Sequence, residues 1–166
     1  FSYSAESRWN LISLPIVVDN PQAAIQFPSM NSSLYEYVPS VGYVNRDSLV
    51  MGKGYWLKFQ SSQIINLTGV QVSSETISVT AGWNLIGSIS TPVMITTIVS
   101  DPPNIVTSQF FGYNQSYIPV DTVYPGKGYW VKANLEGQLI LSANTLLSKA
   151  VQINLIPTSE LPPPAP

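Results

Sequence analysis

The sequence predicts an all-β protein made of two tandem, homologous halves. Three observations carry that expectation. The pentapeptide Gly-Lys-Gly-Tyr-Trp occurs at residues 52–56 and again, unchanged, at residues 126–130. Segments rich in β-branched and aromatic residues alternate apolar and polar positions over strand-like lengths. Pro and Gly, 14 and 10 in number, punctuate those segments. Closely spaced short strands suggest small β-barrels or sandwiches, here packed together with pseudo-twofold symmetry.

Each element follows from this pattern. Alternation places strands at 9–14, 34–38, 55–59, 64–67 and 77–80. A shift of about 74 residues brings their counterparts into register, at 83–89, 110–113, 129–133 and 139–141. "RWNLIS" (8–13) meets "GWNLIG" (82–87), and "GKGYWLK" meets "GKGYWVK". In between, "LYEY" (34–37) fits "FFGY" (110–113) with the register slipped by two, as a compensated loop change would produce. The segment 150–157 resembles the strand that precedes each Trp-Asn-Leu-Ile, so a closing strand is expected at 151–155. The strand at 77–80 is either shared by the halves or pairs across them. Segments 21–30 and 93–104 do not alternate and suggest short helical turns halted at Pro28 and Pro102. The organisation is a first repeat over 1–75, a second with its closing strand over 76–157, and a Pro-rich linker over 158–166. That linker, ending "ELPPPAP", should be an extended polyproline-type spacer to a neighbouring domain. The chain begins at Phe1 without an initiator Met and reads as part of something longer.

Composition narrows the chemistry. Hydrophobic residues make up 45%, enough for a packed core. Charged residues make up only 10%, against roughly 25% in an ordinary soluble protein. A net charge of −2 gives no electrostatic footprint for nucleic acid. The chain has neither Cys nor His, which removes disulfides, thiolate chemistry and His-ligated metals. No clustered carboxylates suggest calcium, and no cofactor is expected. No run of 18 apolar residues exists, so no membrane-spanning helix is expected. Of the acidic residues only Asp47 and Asp121 recur between the copies. One carboxylate per repeat is not the pair that glycoside hydrolysis uses, and each reads as a turn cap accepting backbone N–H bonds. The expectation is a non-enzyme.

The repeated pentapeptide is not a phosphate loop, because Gly54 and Gly128 stand where Ser or Thr should follow the Lys. It reads as a corner. Pro125-Gly126 suits a type II turn, and the second Gly relieves crowding where the chain enters a strand. In that strand Tyr55, Leu57 and Phe59 share a face, as do Tyr129, Val131 and Ala133, and these are assigned to the core. Trp56 and Trp130 share the other face with Lys58 and Lys132. There they either cover the sheet beside the Lys stems, form an open aromatic platform, or meet a neighbouring domain. Trp9 and Trp83 are expected in the core with Leu11 and Leu85. Asn10 and Asn84 are expected to bond backbone at a turn. Tyr43 and Tyr117 are placed in loops before the Asp, as corner anchors or ligand contacts.

"WNLISLP" followed by "GKGYWLKF" resembles a repeat found in large secreted and cell-surface proteins of bacteria. The resemblance covers residues 9–67 and 83–141 and implies an extracellular or cell-surface accessory module. The second copy departs from it at "GSIS" (87–90), where Ser-Leu-Pro is expected. The function expected is therefore noncatalytic. The leading reading is polysaccharide binding through Trp56, Trp130, Tyr43, Tyr117, Lys58 and Lys132. The alternative is a structural spacer or protein-interaction domain joined to other domains of the same polypeptide.

Overall fold

A computed structural model describes residues 1–144 and 159–166, and the fold is all-β. The first part of the chain carries β1 (Ser2–Ala5), β2 (Arg8–Ser13), β3 (Ile16–Val17), the one-turn helix α1 (Ala23–Gln26), β4 (Leu34–Val38), β5 (Gly42–Arg46), β6 (Gly54–Phe59), β7 (Gln63–Asn66) and β8 (Val70–Gln71). The second carries β9 (Ser74–Val79), β10 (Gly82–Ile86), β11 (Val93–Met94), a 3-10 turn (Ile95–Thr97), β12 (Val99–Asp101), β13 (Phe110–Tyr113), β14 (Tyr117–Val120), β15 (Thr122–Val123), β16 (Tyr129–Ala133) and β17 (Gly137–Ser142).

Two four-stranded antiparallel sheets dominate, ordered β2-β6-β4-β5 and β10-β16-β13-β14. Each is accompanied by a smaller ladder, β1-β7 in the first half and β12-β17-β9 in the second. The slipped register is visible in the pairing. Tyr35 opposes Trp56 and Phe111 opposes Trp130, so the central strands match at an offset of 76 while the Trp residues match at 74. Strand β9 pairs with β17 of its own half and does not bridge the two. The expected closing strand at 151–155 lies outside the described residues. The segment 21–30 does turn, at α1. The segment 93–104 turns only over its 3-10 residues and then extends into β12. Among the described residues no helix is long and apolar enough to cross a membrane.

The alternation in β6 and β16 divides the interior into three clusters. Tyr55, Leu57 and Phe59 pack with Ile12, Leu34 and Phe27 in a core belonging to the first half. Tyr129, Val131 and Ala133 do the same in the second half with Ile86, Phe110 and Leu139. The opposite faces of both sheets meet in a third cluster, which contains Leu11, Trp56, Trp83, Leu85, Phe111 and Trp130. Residues of both halves therefore enclose one aromatic seam.

Candidate functional site: the aromatic seam

The seam is closed along one edge by the two Gly-Lys-Gly corners. Gly52 and Gly126 sit at φ +76° and +81°, and Lys53 and Lys127 donate their N–H to the carbonyls of Val50 and Tyr124 at 3.3 Å. Pro125 then Gly126 inside that hydrogen bond makes the expected type II turn. Each corner reaches across to the other half. The Gly87 N–H donates to Gly52 O at 2.8 Å, and the Ser13 N–H donates to Gly126 O at 3.0 Å. Lys53 forms a β-bridge with Ile86, and Lys127 forms one with Ile12. A Cβ on Gly54 would lie 2.5 Å from the Ile86 carbonyl oxygen, and one on Gly128 would lie 3.1 Å from that of Ile12. The second Gly of the motif thus leaves room for the other half's backbone. Ser88 and Ser90 of the divergent "GSIS" segment add to this edge. Ser88 Oγ lies 2.8 Å from Ser13 Oγ and accepts the Gly126 N–H, while Ser90 donates to Pro15 O.

The corner lysines do different things. Lys53 and Arg46 form ion pairs with buried Glu36. Burial pushes the Glu36 carboxyl up, but the hydrogen bonds from Lys53 and Arg46 outweigh it and hold it below its usual value. Position 112, the counterpart of Glu36, is Gly, and Lys127 instead donates to Ser4 O at 2.6 Å over the Tyr3 ring. Burial, opposed by the Glu6 charge, lowers the Lys127 ammonium's pKa.

Inside the seam the rings meet edge to face, often across the halves. Tyr37 contacts Trp130 at 4.8 Å between centroids, and Tyr113 contacts Trp56 at 4.7 Å. Trp9 meets Trp56 at 6.1 Å, and Trp83 meets Trp130 at 6.3 Å. These T-shaped contacts place positive ring edges on negative ring faces. Trp56 and Trp130 are 0% exposed. The open platform expected at these two residues is therefore absent, because each ring is covered by a tyrosine of the opposite half. Two further expectations are corrected. Tyr43 and Tyr117 lie in strands β5 and β14, not in loops, and meet Tyr37 and Tyr113 edge to face. Trp83 is buried with Leu11 and Leu85 as expected, whereas Trp9 is only half-buried at the rim of the seam, and Lys58 and Lys132 lie over the rings of Trp9 and Trp83 at 5.9 Å.

Asn10 and Asn84 do bond backbone, each clasping the turn ahead of its strand. Asn10 donates to Glu6 O and Arg8 O, and Asn84 donates to Thr80 O and Gly82 O. The Asp pair acts through its main chain. The carbonyls of Asp47 and Asp121 accept the N–H groups of Ala23 and Ile95, which begin the two helical turns, while the Asp121 carboxylate accepts the Thr122 hydroxyl.

The Pro-rich tail is the feature the sequence did not reveal. Its described residues lie on the seam instead of projecting from it. Tyr117 and Tyr43 donate their hydroxyls to the carbonyls of Pro163 and Pro164. Lys132 pairs with the Glu160 carboxylate at 2.8 and 2.7 Å, and the Trp83 indole N–H donates to it at 3.2 Å. Burial pushes the Tyr43 phenol up to about 12, against a smaller opposite pull from the Trp56 indole N–H, and pushes Tyr117 higher still. Among the described residues the indole N–H groups of Trp56 and Trp130 reach no acceptor with good hydrogen-bond geometry. The signal that could have exposed this arrangement is the recurrence of Tyr37 and Tyr113 in the aligned "LYEY" and "FFGY". Tyr37 and Tyr43 on neighbouring strands of the first half, and Tyr113 and Tyr117 on those of the second, exceed what one turn anchor per half needs.

A cleft of about 340 Å³ adjoins the seam where β2 meets β13 and the 124–129 corner, sharing Trp9 and Tyr113 with it and adding Glu6, Asn114, Gln115 and Lys127 to its lining. No protein-family model matches the chain, and neither a curated protein nor a solved structure does.

Proposed function

We propose that this chain is a noncatalytic accessory module of a secreted or cell-surface multidomain protein, serving as a rigid spacer and protein-interaction domain. The observation that carries the reading is the use made of the aromatics. Trp56 and Trp130, the best candidates for stacking a sugar, are wholly enclosed between the halves. Their burial supports a module whose aromatic content holds two small β units in one orientation. Neighbouring domains of the same polypeptide are its natural partners. The extracellular setting rests on the resemblance of its repeat to those of secreted bacterial proteins.

Fluorescence and retention on polysaccharide test this together. Tryptophan emission should be blue-shifted and weakly quenched by iodide, and the protein should pass unretained over cellulose, xylan and chitin. Retention that persists in Trp9→Ala would overturn the reading. Polysaccharide binding remains a second reading because one observation favours it. The 340 Å³ cleft falls in the size range of small-ligand sites and combines half-buried Trp9 with the amides Asn114 and Gln115. Retention abolished by Trp9→Ala would select it.

A further inference from the structure

The tail on the seam has the geometry of a recognised ligand. Three consecutive prolines, Pro162, Pro163 and Pro164, hold φ near −65° and favour the polyproline II helix, with three residues per turn. The burial pattern has that period. Pro162 is buried, and Ala165, three residues on, packs against the aromatic cluster. Leu161 and Pro164 point to solvent. A polyproline II strand has no internal hydrogen bonds, so its carbonyls need outside donors. Tyr117 and Tyr43 supply them to two successive carbonyls, those of Pro163 and Pro164. Glu160, two residues before Pro162, fixes the direction through Lys132 and the Trp83 N–H.

We propose that the seam is a binding groove for proline-rich segments of the form Glu-x-Pro-Pro-x-Ala, and that the chain's own residues 160–165 are its resident occupant. Aromatic grooves with hydroxyl and indole donors suit such segments, because a preformed helix loses little entropy on docking. The two donating tyrosines come from different halves, so the groove exists only when the halves are joined. The tail thereby straps both halves from outside, on top of the contacts that seal them within. This deepens the interaction reading by naming the partner's chemistry. Polysaccharide retention would overturn that reading without affecting the measurement below.

The full chain with Pro162→Gly, Pro163→Gly and Pro164→Gly keeps Glu160 but loses the helix-forming tail. A synthetic peptide SELPPPAP, titrated into this variant, should bind saturably and shift the Trp83 indole N–H resonance. The same peptide should bind the wild-type chain at least about tenfold more weakly, because the attached tail competes at high effective concentration. Tyr117→Phe in the glycine background should weaken peptide binding roughly three- to tenfold through loss of one hydrogen bond. Absence of saturable binding, or equal binding of the peptide SELGGGAP, would overturn the proposal. A second measurement needs no variant. In the wild-type chain the Ala165 methyl resonance should be displaced upfield by the rings beneath it, and a random-coil position would equally overturn the proposal.

Discussion

Gly54 and Gly42 separate two demands made on glycine in this chain. Gly42, the first residue of β5, has φ +98° and nothing within 4 Å of where a Cβ would stand. Gly42→Ala should therefore cost only the left-handed conformation, about 1 kcal/mol. Gly54 has no unusual φ, but its Cβ would lie 2.5 Å from the Ile86 carbonyl oxygen, backbone that can move only if the halves part. Gly54→Ala should cost about 2–3 kcal/mol, at the upper end of overpacking penalties. Urea midpoints check both values, with an unchanged denaturant slope identifying a pure stability effect. A Gly54→Ala midpoint no lower than that of Gly42→Ala would mean that the corner does not seal the seam. The sequence shows that the Gly-Lys-Gly corner is repeated, and the turn chemistry of Pro125-Gly126 is legible in it. What the second Gly makes room for is backbone of the other half, Ile86 for Gly54 and Ile12 for Gly128, and no local pattern encodes that.

At the level of the strand, β6 and β16 each work on two faces. The inward set, Tyr55, Leu57 and Phe59, was legible from its unbroken apolar character, and so was its counterpart in β16. The other face was ambiguous because Trp alternating with Lys fits a solvent-facing platform as well as a buried contact. Lys58 and Lys132 resolve it by lying over Trp9 and Trp83 at the rim, which keeps their ammonium groups near water while Trp56 and Trp130 go inside. Alternation fixes which residues share a face, but a second sheet supplies the cover. Trp56→Ala should destabilise the protein by about 3–5 kcal/mol, the range for large aromatics removed from a core. The cross-half contact is separable. A double-mutant cycle between Trp56→Leu and Tyr113→Leu should give a coupling of about 0.5–1.5 kcal/mol, as expected for an edge-to-face pair beyond its area burial. A coupling near zero would mean that Tyr113 covers Trp56 without holding it.

For the molecule as a whole, tyrosine ionisation sets the upper pH limit. Burial raises the phenols of Tyr43, Tyr55 and Tyr129 to about 12, and those of Tyr3 and Tyr117 further, from the ordinary value of 10.0. These residues are spread over both halves and the tail contact, so their titration reports on the assembled molecule. A group whose pKa is raised on folding stabilises the folded state fully below its unfolded pKa, and that stability is lost as pH climbs towards the folded value. Stability should therefore show no tyrosine-linked decline up to about pH 10 and fall between about pH 10 and 12. Two of the five, Tyr43 and Tyr117, are held by prolyl carbonyls as donors, and an ionised phenol cannot donate. The tail should therefore leave the seam in the same window, and the glycine-substituted tail should let these two phenols ionise at lower pH. Tyrosinate absorbance followed beside circular dichroism checks this. These five phenols should ionise only together with unfolding. If these five tyrosines ionise near the ordinary value of 10.0 while the fold stays intact, the seam is open to water, and with it the proposed use of its rings as a groove for the tail fails.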